Sequence, residues 1–214
     1  GVIAGLTGKD YVDDGMGALM PGMMPEDMGG PKGHRTPRWP LVPDRVRFVG
    51  ERVAMVIAES EAQARDAAAL VEVAYDELPT VARTADAVKD GAPQLYAEAA
   101  KNICFTLKMG NEEAVGPAFE RAHHVSKLSL YNNRLSATPM EVRGCIGDYD
   151  AGTGRFTLYS STQHVHGVRA GLAATVLKVP ESSIRVIARD VGGGFGMKTH
   201  CYPDEALVAW AARR

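Results

Sequence analysis

The chain has 214 residues, 45% of them hydrophobic and 23% charged, with a formal net charge of −2. That is the composition of a globular chain long enough for one large or two small domains, and it offers no basic face to nucleic acid or an anionic membrane. No apolar run reaches the ~18 residues of a membrane span.

The three cysteines, Cys104, Cys145 and Cys201, lie far apart with no C-x-x-C among them. Neither a disulfide framework nor a zinc or iron–sulfur site can be built from them, so thiols in a reducing compartment are expected. The chain opens GVIAGLTGKD without Met and closes EALVAWAARR inside a helical pattern. With no Gly, Asn or Pro to stop that helix, a piece of a longer protein is expected, which leaves room for a targeting signal upstream.

In chain order, residues 1–10 read as a strand, a turn and the start of a helix. Residues 14–44 are crowded with Gly, Pro and Met and have no period, which predicts a long loop, either solvent-exposed or packed on a partner. RVRFVG (45–50) alternates and VAMVIA (53–58) is a short apolar run, so two strands are expected. SEAQ predicts a capping box, with Ser60 as N-cap and Gln63 reaching back, ahead of an Ala-rich helix. VEVAYDELP (71–79) returns to strand character, and 84–102 reads as a linker with a helical turn.

A second unit begins near Ile103, with a helix through Glu120 and a long strand, VSKLSLYNNRL. Two strands then flank the turn DAGTG as a hairpin. In HVHGVRAGLAATVLK, Val168, Leu172 and Val176 share one helix face. IRVIARDV (184–191) reads as a strand, DVGGGFGMK follows, and PDEALVAWAARR opens a helix with Pro203 in its first turn, acids early and arginines late. No internal repeat appears.

Strand, glycine loop, helix is where α/β proteins hold phosphates, on free N–H groups and the helix dipole. The nucleotide motifs fail on spacing, because Met197 and Thr199 stand where G-x-G-x-x-G needs Gly, and Met197 also breaks the P-loop. On spacing alone a tight turn remains as good a reading. Phe195, set among glycines, is either a core plug or a ring held against a flat ligand.

Other candidates have bland readings beside the sharp ones. His164 and His166 form H-x-H, a metal pair or, more simply, solvated and capping groups at a helix entry. His123 and His124 face opposite sides of a strand and would not share a metal. Glu141 and Arg143 form either an acid/base pair or an ion pair bracing the strand, and the brace is preferred. Met16, Met20, Met23, Met24 and Met28 suit adaptable packing against a partner better than a soft metal site. Trp39 and Trp210 read as structural.

Taken together, PMEVRG (139–144), STQ (161–163) and PESSIRVIARDVGGGFGMK (180–198) resemble the large subunit of the molybdenum hydroxylases. That family comprises xanthine dehydrogenase, aldehyde oxidase and aerobic carbon monoxide dehydrogenase. GVIAGLTGKD and the stretch RVRFVGERVAMVIAESEAQARDAAALVEVAYDELP resemble its α/β hammerhead domain. The resemblance implies an α+β fold: a hammerhead over 1–83 with the long loop 14–44, a linker over 84–102, and over 103–214 the first part of a mixed α/β molybdopterin-binding domain.

By the same resemblance, Gln163 matches the glutamine that hydrogen-bonds an oxygen ligand of the molybdenum. Phe195 and Gly196 match the loop whose N–H groups face the metal's oxo group, and Gly192, Gly193 and Gly194 match the turn that lets this backbone come near. No side chain here would ligate molybdenum directly. The general-base glutamate and most pterin-binding segments match nothing in these 214 residues. The implied cofactor is Mo-molybdopterin cytosine dinucleotide. [2Fe–2S] centres and FAD are implied on a small and a medium partner subunit, with the whole a dimer of heterotrimers in the cytoplasm.

The implied chemistry is oxidation of a carbon centre of a small molecule (aldehyde, N-heterocycle or carbon monoxide), with water as the oxygen source, and the piece alone is expected to be inactive. Purine-oxidising members carry Glu after the loop lysine; Thr199 stands there instead, which argues against purines. Two rivals remain: a non-catalytic docking subunit, and an oxidoreductase binding a dinucleotide on the glycine loop.

Overall fold

In the computed structural model, which describes residues 1–214, the chain forms two small sheets and the helices that cover them. β1 (Val2–Thr7) runs straight into α1 (Gly8–Asp13). Thr7 makes that possible: its hydroxyl accepts the Asp10 N–H, while the Asp10 carboxylate accepts the Thr7 N–H at 2.8 Å. Two helix-start donors are thereby satisfied without a linking loop. β1 pairs antiparallel with β2 (Ala54–Ala58), and α2 (Glu61–Ala69) lies against β2. At the start of α2 the Ser60 hydroxyl accepts the Gln63 N–H at 3.3 Å, but no bond returns from the Gln63 side chain, so only half of the expected capping box forms.

The short helices α3 (Thr84–Ala87) and α4 (Glu112–Glu120) lead to the second sheet. There β3 (Cys145–Asp150) and β4 (Arg155–Ser160) form the expected hairpin. Its turn is closed by the Asp150 carboxylate, which accepts the Gly152 N–H and the Thr153 hydroxyl at 2.8 and 2.7 Å. The chain leaves β4 through α5, an α-helix over Val165–Gly171 that continues as a π-helix over Leu172–Leu177, and returns as β5 (Ile184–Ile187), parallel to β4. α6 (Pro203–Arg213) covers β3 and β4.

One hydrophobic core joins the two ends of the chain. Tyr11 and Met16 from the N-terminal part pack with Phe156, Leu158, Val176 and Trp210. The Tyr11 and Trp210 rings meet edge to face at 5.0 Å, the favoured arrangement for aromatic pairs. The Trp210 indole N–H donates to Asp14 at 2.8 Å, so even the polar atom of this buried side chain ties the two parts together.

Loop 14–44 has no regular strand or α-helix, as its composition predicts, but it is neither free nor turned wholly toward a partner. Met16, Leu19, Met24, Leu41 and Val42 are buried against this same chain, while Met20, Met23 and Met28 face outward. Gly17 donates its N–H to the Val176 carbonyl at 2.9 Å, and a Cβ there would lie 1.8 Å from the Thr175 carbonyl oxygen. Only glycine lets the loop lie this close to α5.

Three expected strands are not formed. Residues 45–50, 71–79 and 125–135 make no ladder. The last of these leaves Leu128, Leu130 and Leu135 more than four-fifths exposed. Alternation specifies an extended backbone with one apolar face; a strand also needs a partner edge, which these residues do not find within the chain. β5 stops at Ile187, opposite Tyr159 near the end of β4, four residues before the end of the expected strand.

In the full-length protein, Trp210→Ala is expected to cost about 3–5 kcal/mol, as for other buried aromatics. Met23→Ala, at an outward position, should stay within about 0.5 kcal/mol. Guanidinium unfolding of the two variants measures the contrast.

Candidate active site around the glycine loop

Because β4 and β5 run parallel, both end at the same sheet edge, where open α/β sheets place their ligands. The end of β4 delivers Ser161, Thr162 and Gln163; the end of β5 delivers the glycine loop. The two segments hold each other. The buried Thr162 donates its hydroxyl to the Lys198 carbonyl at 2.9 Å and accepts the His164 N–H at 3.1 Å. The Gln163 N–H donates to the same Lys198 carbonyl at 2.9 Å.

The Gln163 side chain is then fixed from the loop side. Its Oε1 accepts the Gly196 N–H at 3.1 Å and the Lys198 N–H at 3.2 Å. Two N–H donors on one amide atom assign that atom as oxygen, so Nε2 is the end left facing away, with no acceptor in the chain. A Cβ on Gly194 would stand 2.3 Å from Oε1, so this fit requires glycine. Gly193 and Gly196 have φ of 90° and 86°, and Phe195 has φ of 50°, a rare value for an aromatic residue. Phe195 is 74% exposed, so it does not plug the core formed by this chain. The N–H groups of Gly194 and Phe195 find no acceptor in the chain, whereas that of Gly196 is taken by Gln163.

Glu141 grips the loop from the opposite side. Its carboxylate accepts the Gly192 N–H at 2.8 Å and the Lys198 ammonium at 2.5 Å. Lys198 is only 1% exposed. The bond from Lys198 first, and that from Gly192 second, hold the Glu141 carboxyl below the usual carboxylate range. The expected pairing of Glu141 with Arg143 is not made. The chain bends at Met140 and Glu141, and Arg143 turns to Asp204 (3.5 Å) and lies 4.0 Å over the Tyr202 ring. Each residue is braced by an ion pair, but with a different partner.

The first turn of α6 is tied to the end of β4. Glu205 accepts the Ser160 hydroxyl at 2.6 Å and the Tyr202 N–H at 2.8 Å. Burial pushes its carboxyl up, against the opposing pull of these two bonds. A cleft of about 450 Å³ opens beside the loop, lined among others by Glu141, Ser161, Tyr159, Arg189 and Asp190.

His164 stands at the N-cap of α5 without a side-chain capping bond, and His166 follows in the helix. His124 meets only Ser126, and no group of three His, Cys, Asp or Glu converges anywhere in the chain. All three cysteines are free; burial raises the Cys145 thiol to about 12 and that of Cys201 further. Thr162 and Lys198 were not singled out by pattern. The available signal was a lone lysine at the end of a glycine run, where a buried ammonium demands an acid from elsewhere in the chain.

Residues 95–214 match the family model described as molybdopterin cofactor-binding domain, and residues 1–79 match that of the aldehyde oxidase and xanthine dehydrogenase a/b hammerhead domain. The large subunit of nicotine 6-hydroxylase from Paenarthrobacter nicotinovorans is 38% identical over 173 residues, covering 81% of this chain and 21% of the relative. The carbon monoxide dehydrogenase large chain of Hydrogenophaga pseudoflava is 34% identical over 175 residues, covering 76% of this chain and 22% of the relative. The chain therefore spans about a fifth of the length of these curated relatives. Among solved structures, quinoline 2-oxidoreductase from Pseudomonas putida 86 superposes with a TM-score of 0.86 at 34% identity, covering all of this chain and 26% of that one. A Cu,Mo-CO dehydrogenase in its carbon monoxide reduced state gives 0.84 at 28% identity, again covering all of this chain and 27% of that one.

The raised Glu205 carboxyl sets the sign of a pH effect. Relative to Glu205→Gln, the wild type keeps its full stability below the ordinary value of 4.5 and loses it as pH rises through the higher folded value. Unfolding titrations from about pH 4 to pH 8 should show E205Q gaining on the wild type toward neutrality.

Proposed function

Since this chain belongs to the molybdenum hydroxylase large-subunit family, we propose that it forms one wall of that enzyme's molybdenum site. On this reading the whole protein oxidises a carbon centre of a small molecule, taking the oxygen from water. One observation carries the proposal: the Gln163 amide is locked by the loop with Nε2 outward, beside the unpaired N–H groups of Gly194 and Phe195. Three donors left without acceptors in one stretch nearly free of side chains suit an electron-rich group that must approach the backbone closely. A methyl at 194 would fill that space. The residues present thus fit the molybdenum cofactor.

Gln163, Phe195 and Gly196 would hold it, Gly196 by fixing Gln163, and Gly192 to Gly194 would give it room. When bound, the cofactor supplies the two-electron oxidation of the substrate carbon. The chain's own part is electrostatic. Gln163 Nε2 and the loop N–H groups donate toward negative charge, and they are oriented before any ligand arrives, so the reorganisation cost is met in folding. No proton-transfer role falls on Glu141, whose carboxylate is engaged by Lys198 and Gly192.

The proposed organisation is a hammerhead over 1–83, a linker over 84–102 and the opening of the molybdopterin-binding domain over 103–214. The cofactor form is molybdopterin cytosine dinucleotide, with [2Fe–2S] and FAD on two partner subunits in a cytoplasmic dimer of heterotrimers. No helix of the chain is long and apolar enough to cross a membrane. Thr199 argues against purines. The likeness to a nicotine hydroxylase and a quinoline oxidoreductase supports an N-heterocycle or aldehyde, with carbon monoxide as the other branch.

The test uses the full-length protein purified with its neighbours. Near one molybdenum per large subunit, with several iron and no copper, is the expected result; stoichiometric copper would redirect the substrate to carbon monoxide. A folded complex without molybdenum, after expression with cofactor supply, would refute the reading. Gln163→Ala should then lower kcat/KM by about 10²- to 10³-fold at unchanged molybdenum content, the effect of removing one preorganised donor.

A further inference from the structure

We propose that Glu141 is a positioning residue: acting through Lys198, it holds the glycine loop and the Gln163 amide in the orientation that turns Nε2 outward. This rests on the function proposed above. Lys198 is 1% exposed, and Glu141 is its one ion-pair partner. A buried ammonium that loses its acid must move toward water. The backbone of Lys198 cannot move without consequence. Its N–H donates to Gln163 Oε1, and its carbonyl accepts both the Gln163 N–H and the Thr162 hydroxyl.

Glu141 also controls the other end of the loop. The same carboxylate oxygen that takes Lys198 Nζ accepts the Gly192 N–H, and the Glu141 N–H points back to the Gly192 carbonyl at 3.4 Å. One side chain therefore clamps residues 192 and 198, with Phe195 and the unpaired N–H groups between them. Glu141 sits on a bend outside both sheets, so strand pairing does not dictate its place. A Cβ on Gly192 would come within 2.7 Å of the Glu141 Cβ, so the clamp is seated directly on the loop backbone.

The experiment is Glu141→Gln in the full-length enzyme with its partner subunits. The amide keeps an acceptor for Gly192 and removes the charge facing Lys198. Three readouts are taken beside the wild type: amide hydrogen exchange of residues 192–198, the Mo(V) EPR spectrum at measured molybdenum content, and kcat with KM. Faster exchange confined to the loop, a shifted EPR signal at full molybdenum content, and a kcat lower by about 10- to 100-fold at similar KM are expected. Glu141→Asp, which restores the charge on a shorter arm, should recover part of all three.

Wild-type exchange and an unshifted EPR signal in E141Q would overturn the proposal. So would a fall in kcat that only tracks lost molybdenum. If the wild-type complex carries no molybdenum, the functional reading fails by itself, and the exchange measurement still decides whether Glu141 holds the loop.

Discussion

Parallel pairing of β4 with β5 is the constraint on which the site depends. Two strands that run the same way must end at the same edge, and the residues after each end are then neighbours although about thirty positions separate them in sequence. Everything at the candidate site follows from that edge. Gln163 comes off one strand and the loop off the other, and the backbone of Lys198 bonds to both Thr162 and Gln163. The crossover through α5 is what permits parallel pairing. The packing of α5 and α6 with Tyr11 and Met16 commits the N-terminal part of the chain to the same core.

Electrostatic costs are placed with similar economy. A buried ammonium, a strained Phe195 and several unpaired N–H groups are each unfavourable alone. Here they sit within one loop of seven residues, and one carboxylate offsets the most expensive of them. Such a concentration of local cost within a well-packed surround is the physical mark of a functional surface. Elsewhere at the sheet the costs are differently placed: its turn is satisfied by Asp150, while the start of α6 carries its own buried carboxyl, Glu205, held by Ser160 and Tyr202.

What could be read from the residues alone divides along physical lines. The β3–β4 hairpin, the α5 face of Val168, Leu172 and Val176, and the position of α6 were legible, because their signals are local. The family was legible from the combined motifs, and the matches over 1–79 and 95–214 bear that out. Strands at 45–50, 71–79 and 125–135 were not, since alternation describes one chain and pairing needs two. The pairing of Glu141 with Lys198 in place of Arg143 was beyond reach for a related reason. Proximity in sequence suggested one partner, while a bend and a shared sheet edge supplied another, 57 positions away.

Residues 125–135 leave their leucines exposed and their backbone groups without a ladder within the chain. A segment that completes them must bring both an apolar face and a strand edge, two demands that a single neighbouring strand meets at once.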